Sequence, residues 1–165
     1  MQTKTYNVYT FDELSDEQKE KARDWFRDGN EYHFLGEAMD EHLQDLLLEN
    51  KLKCDEPKIM YSLSYSQGDG AMFEGTVYFK SYYATIKHAG HYCHYNSKDI
   101  EINSVKTDKE ASDKVYKEFN DVYVDICRKL EKYGYDYIEY EDSDEVVDDI
   151  INANEYEFTS DGKID

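Results

Sequence analysis

Apolar and polar positions alternate with a period of two through much of residues 61–102, with Val77 and Phe79 on one phase and Ala84, Ile86 and His88 on another. That is the pattern of a sheet with one buried face. Strands are predicted over residues 58–65, opened by Pro57, then over 71–80, 82–88 and 99–105, with a loop at 89–98. Elsewhere the period lengthens to helical spacing. Ser15 with Gln18 forms a capping box behind the staple residue Leu14, and Ala22, Trp25 and Phe26 form the stripe of a helix that Gly29 stops. Residues 31–51 carry the strongest stripe, Phe34, Leu35, Ala38, Met39, His42, Leu43, Leu46 and Leu47. A second long helix is predicted over 108–133 from Val115, Phe119, Val122, Ile126 and Leu130, capped by Thr107 with Glu110 and ended by Gly134. Residues 135–140 read as strand or extended chain. A short last helix follows Ser143, and strands are expected at 5–10 and 154–160.

These elements predict one α+β domain over residues 1–165. Its centre is an antiparallel sheet of four to five strands, with two long helices on one face. Trp25 is expected as a core anchor and His42 as a hydrogen-bonded core or rim residue.

Charge changes the picture of what such a domain binds. The 165 residues hold 38 Asp and Glu against 19 Lys and Arg, a formal charge of −19. A chain this acidic repels nucleic acid and anionic membranes and attracts basic protein surfaces. Cys54, Cys93 and Cys127 are widely spaced and odd in number, which fits a reducing cytoplasm. Neither an apolar run of membrane-spanning length nor a basic-then-apolar leader at Met1 is present, so a cytoplasmic protein without a membrane partner is expected.

Three stretches bear on chemistry. Ser66-Gln67-Gly68-Asp69-Gly70 reads as a turn; neither a following helix pattern nor a lysine supports a phosphate loop. His88, His91 and His94 with Cys93 offer imidazole and thiolate ligands, and a metal-binding module at this loop is one alternative. No nucleophile-elbow or cysteine-protease signature surrounds Cys93 or Ser66, so neither an enzyme nor a cofactor is expected. The third stretch, residues 136–149, holds Asp136, Glu139, Glu141, Asp142, Asp144, Glu145, Asp148 and Asp149 with no base, interleaved with Tyr137 and Tyr140. Over the last 33 residues there are 12 acids and one Lys. Carboxylates held in rows on a folded surface resemble the charge pattern of duplex DNA. These ten residues are therefore the expected partner-binding set, and neutralising Asp142, Asp144, Glu145 and Asp148 is expected to weaken binding while leaving the fold intact.

The chain also resembles a family of small phage and prophage proteins, some labelled antitoxins of a toxin–antitoxin stability system. The likeness runs through Val8-Tyr9-Thr10-Phe11-Asp12-Glu13-Leu14-Ser15 with Ala22-Arg23, and Ser66-Gln67-Gly68-Asp69-Gly70-Ala71 with Phe73-Glu74-Gly75. It continues through Ile86-Lys87-His88, the Tyr92, Cys93 and His94 loop, and Asn154-Glu155-Tyr156-Glu157-Phe158-Thr159 with Asp161-Gly162. Relatives often carry a longer insertion where this chain passes directly from Phe79 to Tyr82. The resemblance implies a mobile-element protein in a bacterial cytoplasm. The expected function is a non-enzymatic inhibitor of anti-CRISPR or anti-restriction type, a DNA-mimic-like binder of a basic, nucleic-acid-binding host protein. An antitoxin-like module that neutralises a toxin through the sheet and Tyr92 to Tyr95 is the other alternative.

Overall fold

A computed structural model describes all residues, Met1–Asp165. Along the chain run β1 (Tyr9–Thr10), α1 (Asp16–Asp28), α2 (Leu35–Glu49), β2 (Lys53–Ser62), β3 (Gly70–Phe79), β4 (Tyr82–His88), β5 (Lys98–Ser104), α3 (Asp113–Glu141), α4 (Asp144–Ala153) and β6 (Glu157–Phe158). The fold is α+β, with a four-stranded antiparallel sheet in the order β2-β3-β4-β5 and a two-stranded sheet of β1 and β6. Its packing falls into two units, one of Met1–His33 with Tyr137–Asp165 and one of Phe34–Asp136. No helix is long and apolar enough to cross a membrane.

In the larger unit the two-residue alternation stacks Val77, Ala84 and Ile102 in one row across the sheet and Gly75, Ile86 and Ile100 in the next. The side chains of Val77, Ala84, Ile86 and Ile102 are buried. α3 covers this face, with Phe119 edge-on to Phe79 at 5.6 Å and Tyr123 against Phe73 at 4.9 Å. The ladder between β3 and β4 ends at Gly75 and Ile86, so Phe73 lacks a β4 partner. The buried Tyr123 hydroxyl fills the gap: it donates to the Phe73 carbonyl at 2.9 Å and accepts from the Phe73 N–H at 3.3 Å. Glu74 accepts from the His88 N–H at 2.9 Å on the other side of the same opening. Burial pushes the Tyr123 phenol well above its ordinary pKa, so it stays a neutral donor.

Three boundaries differ from expectation. Gly134 lies inside α3, which runs on through residues expected as strand to Glu141. A Cβ at Gly134 would stand 2.4 Å from Leu63 Cδ1 and 3.3 Å from Met39 Sδ, so the glycine permits close approach to α2 and to the residue after β2 rather than ending the helix. The start of α3 is set by Ser112, whose hydroxyl accepts from the Val115 N–H at 3.4 Å. Thr107 and Glu110 lie upstream, where residues 109–111 follow the β5 edge: the Ser104 N–H donates to Lys109 and the Ala111 N–H to Ile102. Pro57 does not open β2 but sits inside it, where the register slips between Asp55 and Lys58 and Glu56 takes a φ of 51°.

The smaller unit is built on Phe11, Leu14, Ala22, Val147, Ile151 and Phe158, all buried. The box of Ser15 and Gln18 caps α1, and Ser143 caps α4. The two terminal strands shrink to a pair of two-residue segments, Tyr9 opposite Phe158 and Thr10 opposite Glu157. Trp25 sits at the rim of this core, 38% exposed, edge-on to Tyr156 and Phe158. In the larger unit His42 is half-buried and stacks on Tyr133 at 4.2 Å.

Replacing Tyr123 by Phe keeps the ring and removes only the hydroxyl that bonds both the Phe73 N–H and C=O in the core. Tyr123→Phe is expected to lower unfolding stability by about 1–3 kcal/mol, read from the urea midpoint; an unchanged midpoint contradicts the role given to that hydroxyl.

Candidate functional site

The acidic stretch is helical: its residues form the end of α3 and most of α4, with Asp142 and Ser143 between them. Asp136 lies in the larger unit, where it accepts from Lys132 at 2.5 Å. The others lie in the smaller unit, where two arginines of α1 meet them. Arg23 is bidentate to Asp148, with Nε and Nη2 each at 2.7 Å, and it also pairs with Glu20 and with Asp144 at 3.7 Å. Arg27 donates to Asp144 at 2.5 Å, to Asp24 at 3.3 Å and to the Asp142 carbonyl at 2.9 Å. The Tyr32 hydroxyl and the Asn30 amide donate to the Asp142 carboxylate at 2.5 and 3.4 Å. The Arg23 side chain is only 15% exposed, and the Asp148 bond above all raises its pKa further.

Asp136, Asp142, Asp144 and Asp148 are therefore engaged on the chain itself. Neutralising Asp142, Asp144 and Asp148 disturbs the anchoring of α1 to α4, so these positions do not separate binding from folding. Glu139, Glu145, Asp149 and Tyr140 are exposed and Glu141 and Tyr137 are half-exposed; Glu139, Glu141, Glu145 and Asp149 take part in no ion pair. Arg23 and Arg27 were absent from the sequence-derived set. Their signal was a pair of guanidiniums four apart on one helix, each with a carboxylate three residues before it.

The larger unit brings the turn at 66–70 against the loop at 89–97. Asp69 organises the turn: it accepts from the Ser62 hydroxyl at 2.8 Å, the Ser64 N–H and hydroxyl at 2.6 and 2.8 Å, and the Ser66 N–H at 2.9 Å. The Ser66 N–H leads these bonds in holding the carboxyl far below the usual carboxylate range. With three of these bonds on one oxygen and one on the other, Asp69 is a structural hub. Gly68, at φ 85°, lies under the Tyr92 ring so closely that a Cβ there would stand 2.3 Å from it. A Cβ at Gly70 would stand 2.7 Å from the His94 ring. Gln67, Asp69, Tyr92, His94 and Ser97 line a shallow cleft of about 310 Å³ between turn and loop.

The candidate ligands in this loop do not converge. His88 Nε2 lies 3.0 Å from the Tyr92 carbonyl, while His94 Nδ1 accepts from the Asn96 N–H at 3.1 Å. No group of three His, Cys, Asp or Glu side chains stands in metal-ligating proximity. Burial pushes the Cys127 thiol up to about 12 and the half-buried Cys54 thiol up to about 11, which keeps both out of the reactive thiolate form at neutral pH. Comparison of the chain with protein-family models, curated proteins and solved structures finds no match in any of the three.

Two outcomes follow from this geometry. Asp148→Asn retains shape but removes the charge opposing Arg23, and is expected to cost about 1–3 kcal/mol in chemical denaturation. For Asp69 the folded pKa is depressed, so its contribution is complete above the unfolded-chain value of about 3.9 and is lost as pH falls through the lower folded value. Wild type should be more stable than Asp69→Asn at pH 7, with the gap closing as acid is added; a gap constant down to pH 2 contradicts the assignment.

Proposed function

We propose that this chain is a non-enzymatic protein binder, an inhibitor of anti-defence type encoded by a mobile element. It would occupy the basic groove of a nucleic-acid-handling protein in place of nucleic acid. One observation carries the reading: Met1–His33 with Tyr137–Asp165 hold 19 acids against six bases, so this unit supplies −13 of the total −19. The two cations most enclosed there, Arg23 and Arg27, are already committed to internal carboxylates. On α4, Asp144, Glu145, Asp148 and Asp149 fall within ten residues. Of these, Asp144 and Asp148 pair with Arg27 and Arg23, so Glu145 and Asp149 carry the unopposed charge of this helix. Helices hold these groups in place, so a cationic groove meets them at little ordering cost.

The acids to change are those without an internal partner. A variant carrying Glu139→Gln, Glu141→Gln, Glu145→Gln and Asp149→Asn keeps the Arg23 and Arg27 contacts and is expected to fold as wild type by circular dichroism. In affinity capture from bacterial lysate, wild type is expected to retain a basic nucleic-acid-binding protein at 50 mM salt. Duplex DNA and 300 mM salt should both release it, and the variant should retain at least ten-fold less. Capture indifferent to DNA, to salt and to the four substitutions overturns the proposal.

A further inference from the structure

The acidic face leaves a second feature unused, a crest of exposed aromatic rings on the larger unit. Phe34 is 70% exposed at the start of α2, Tyr61 37% on β2, and Tyr65 69% and Tyr92 57% on the two sides of the β2–β3 turn. Three contacts fix where they stand. A Cβ at Gly36, in the first turn of α2, would lie 3.5 Å from the Tyr61 hydroxyl. The Tyr65 ring lies 4.5 Å from that of Tyr135, whose hydroxyl accepts from the Tyr65 N–H at 3.3 Å. Tyr92 closes over Gly68 in the same turn. Large rings left in water together, beside a turn fixed by four hydrogen bonds to Asp69, mark a recognition surface rather than scattered exposure.

The charges around these rings state what they fit. Residues 34–50 and 59–79, which carry Phe34, Tyr61 and Tyr65, contain no Lys or Arg and seven acids. Glu37 follows Phe34 by three residues, and Tyr135, on which Tyr65 packs, has Glu131 four residues before it and Lys132 three before it, the lysine paired with Asp136. A ring face with a carboxylate beside it is a receptor for a guanidinium, which stacks on the ring while its N–H fork meets the carboxylate. Lysine gains less from such a pair, because its compact ammonium holds its water more strongly. We infer that the aromatic crest of Phe34, Tyr61, Tyr65 and Tyr92 is a docking surface for an arginine-rich segment of a partner protein. This surface is independent of the acidic unit: either can fail while the other stands.

A protein of charge −19 attracts any polycation, so the decisive quantity is the preference for arginine over lysine at equal charge. The probes are the amidated peptides acetyl-(Gly-Arg)4, acetyl-(Gly-Lys)4 and the neutral acetyl-(Ser-Leu)4, titrated at 150 mM salt by fluorescence anisotropy and by amide NMR shifts. Wild type is expected to bind the arginine peptide roughly three-fold more tightly than the lysine peptide, the factor of an exposed cation–π contact. Shifts should centre on Phe34, Tyr65 and Tyr135. The preference should vanish in Phe34→Ser/Tyr65→Ser, both exposed positions whose change leaves the core intact. It should persist in the Glu139, Glu141, Glu145 and Asp149 variant, which weakens both peptides alike. Equal affinity of wild type for the two cationic peptides, or a preference surviving in Phe34→Ser/Tyr65→Ser, overturns the inference. Equal binding of the Ser-Leu peptide assigns a plain apolar groove, and peptide-free shifts that grow with protein concentration assign a second copy of the chain; each also overturns it.

Discussion

Like-charge repulsion is the constraint on which the smaller unit depends. With 19 acids and six bases in Met1–His33 and Tyr137–Asp165, carboxylates crowd onto α1, α4 and the end of α3. Two charges 4 Å apart near a surface interact by about 4 kcal/mol, so unopposed crowding would push α1 from α4. The guanidiniums of Arg23 and Arg27 lie in that crowd and touch Glu20, Asp24, Asp144 and Asp148 between them. Beneath them the apolar layer of Ala22, Val147 and Ile151 is fully buried. The apolar layer supplies cohesion and the arginines set the register between helices. What is left over is a fixed negative excess on a folded surface.

The larger unit answers a different demand, that of a sheet whose middle strands part at one end. Backbone groups freed where β3 and β4 separate are met by side chains, Tyr123 for Phe73 and Glu74 for His88. The turn beyond that end is held by one aspartate, and glycines under Tyr92 and His94 let the neighbouring loop settle on it. The motif Ser66-Gln67-Gly68-Asp69-Gly70 thus has a mechanical explanation in full: an acceptor that gathers three serines, flanked by two positions where no side chain fits.

Features that local chemistry decides were legible in the sequence. Alternation placed β3, β4 and β5 to within a residue, because one face of each is buried. The box at Ser15 and the cap at Ser143 were equally plain, since a cap is written within four residues. Features decided by distant contact were not. Gly134 reads as a stop signal, yet its reason is Leu63, some seventy residues earlier. Thr107 with Glu110 has the form of a cap, but pairing of residues 109–111 along the β5 edge claims Glu110 first. The same holds at the acidic stretch. The helix after Ser143 was expected, but Asp136 and Glu139 fall where strand or extended chain was expected and α3 runs on instead, and the division into engaged and unengaged carboxylates depends on Arg23, 125 residues from Asp148.

The irregular strand β2 carries a consequence for the molecule in a crowded cell. It is an outer strand of the four-stranded sheet, ten residues long, and its free side presents unsatisfied backbone groups. The slip at Glu56 and Pro57 interrupts the strand's regular register, with Lys53, Asp55, Glu56 and Lys58 placing opposite charges around it. A foreign strand laid against it would lose its hydrogen-bond register midway. An irregular, charged edge of this kind disfavours edge-to-edge pairing between copies.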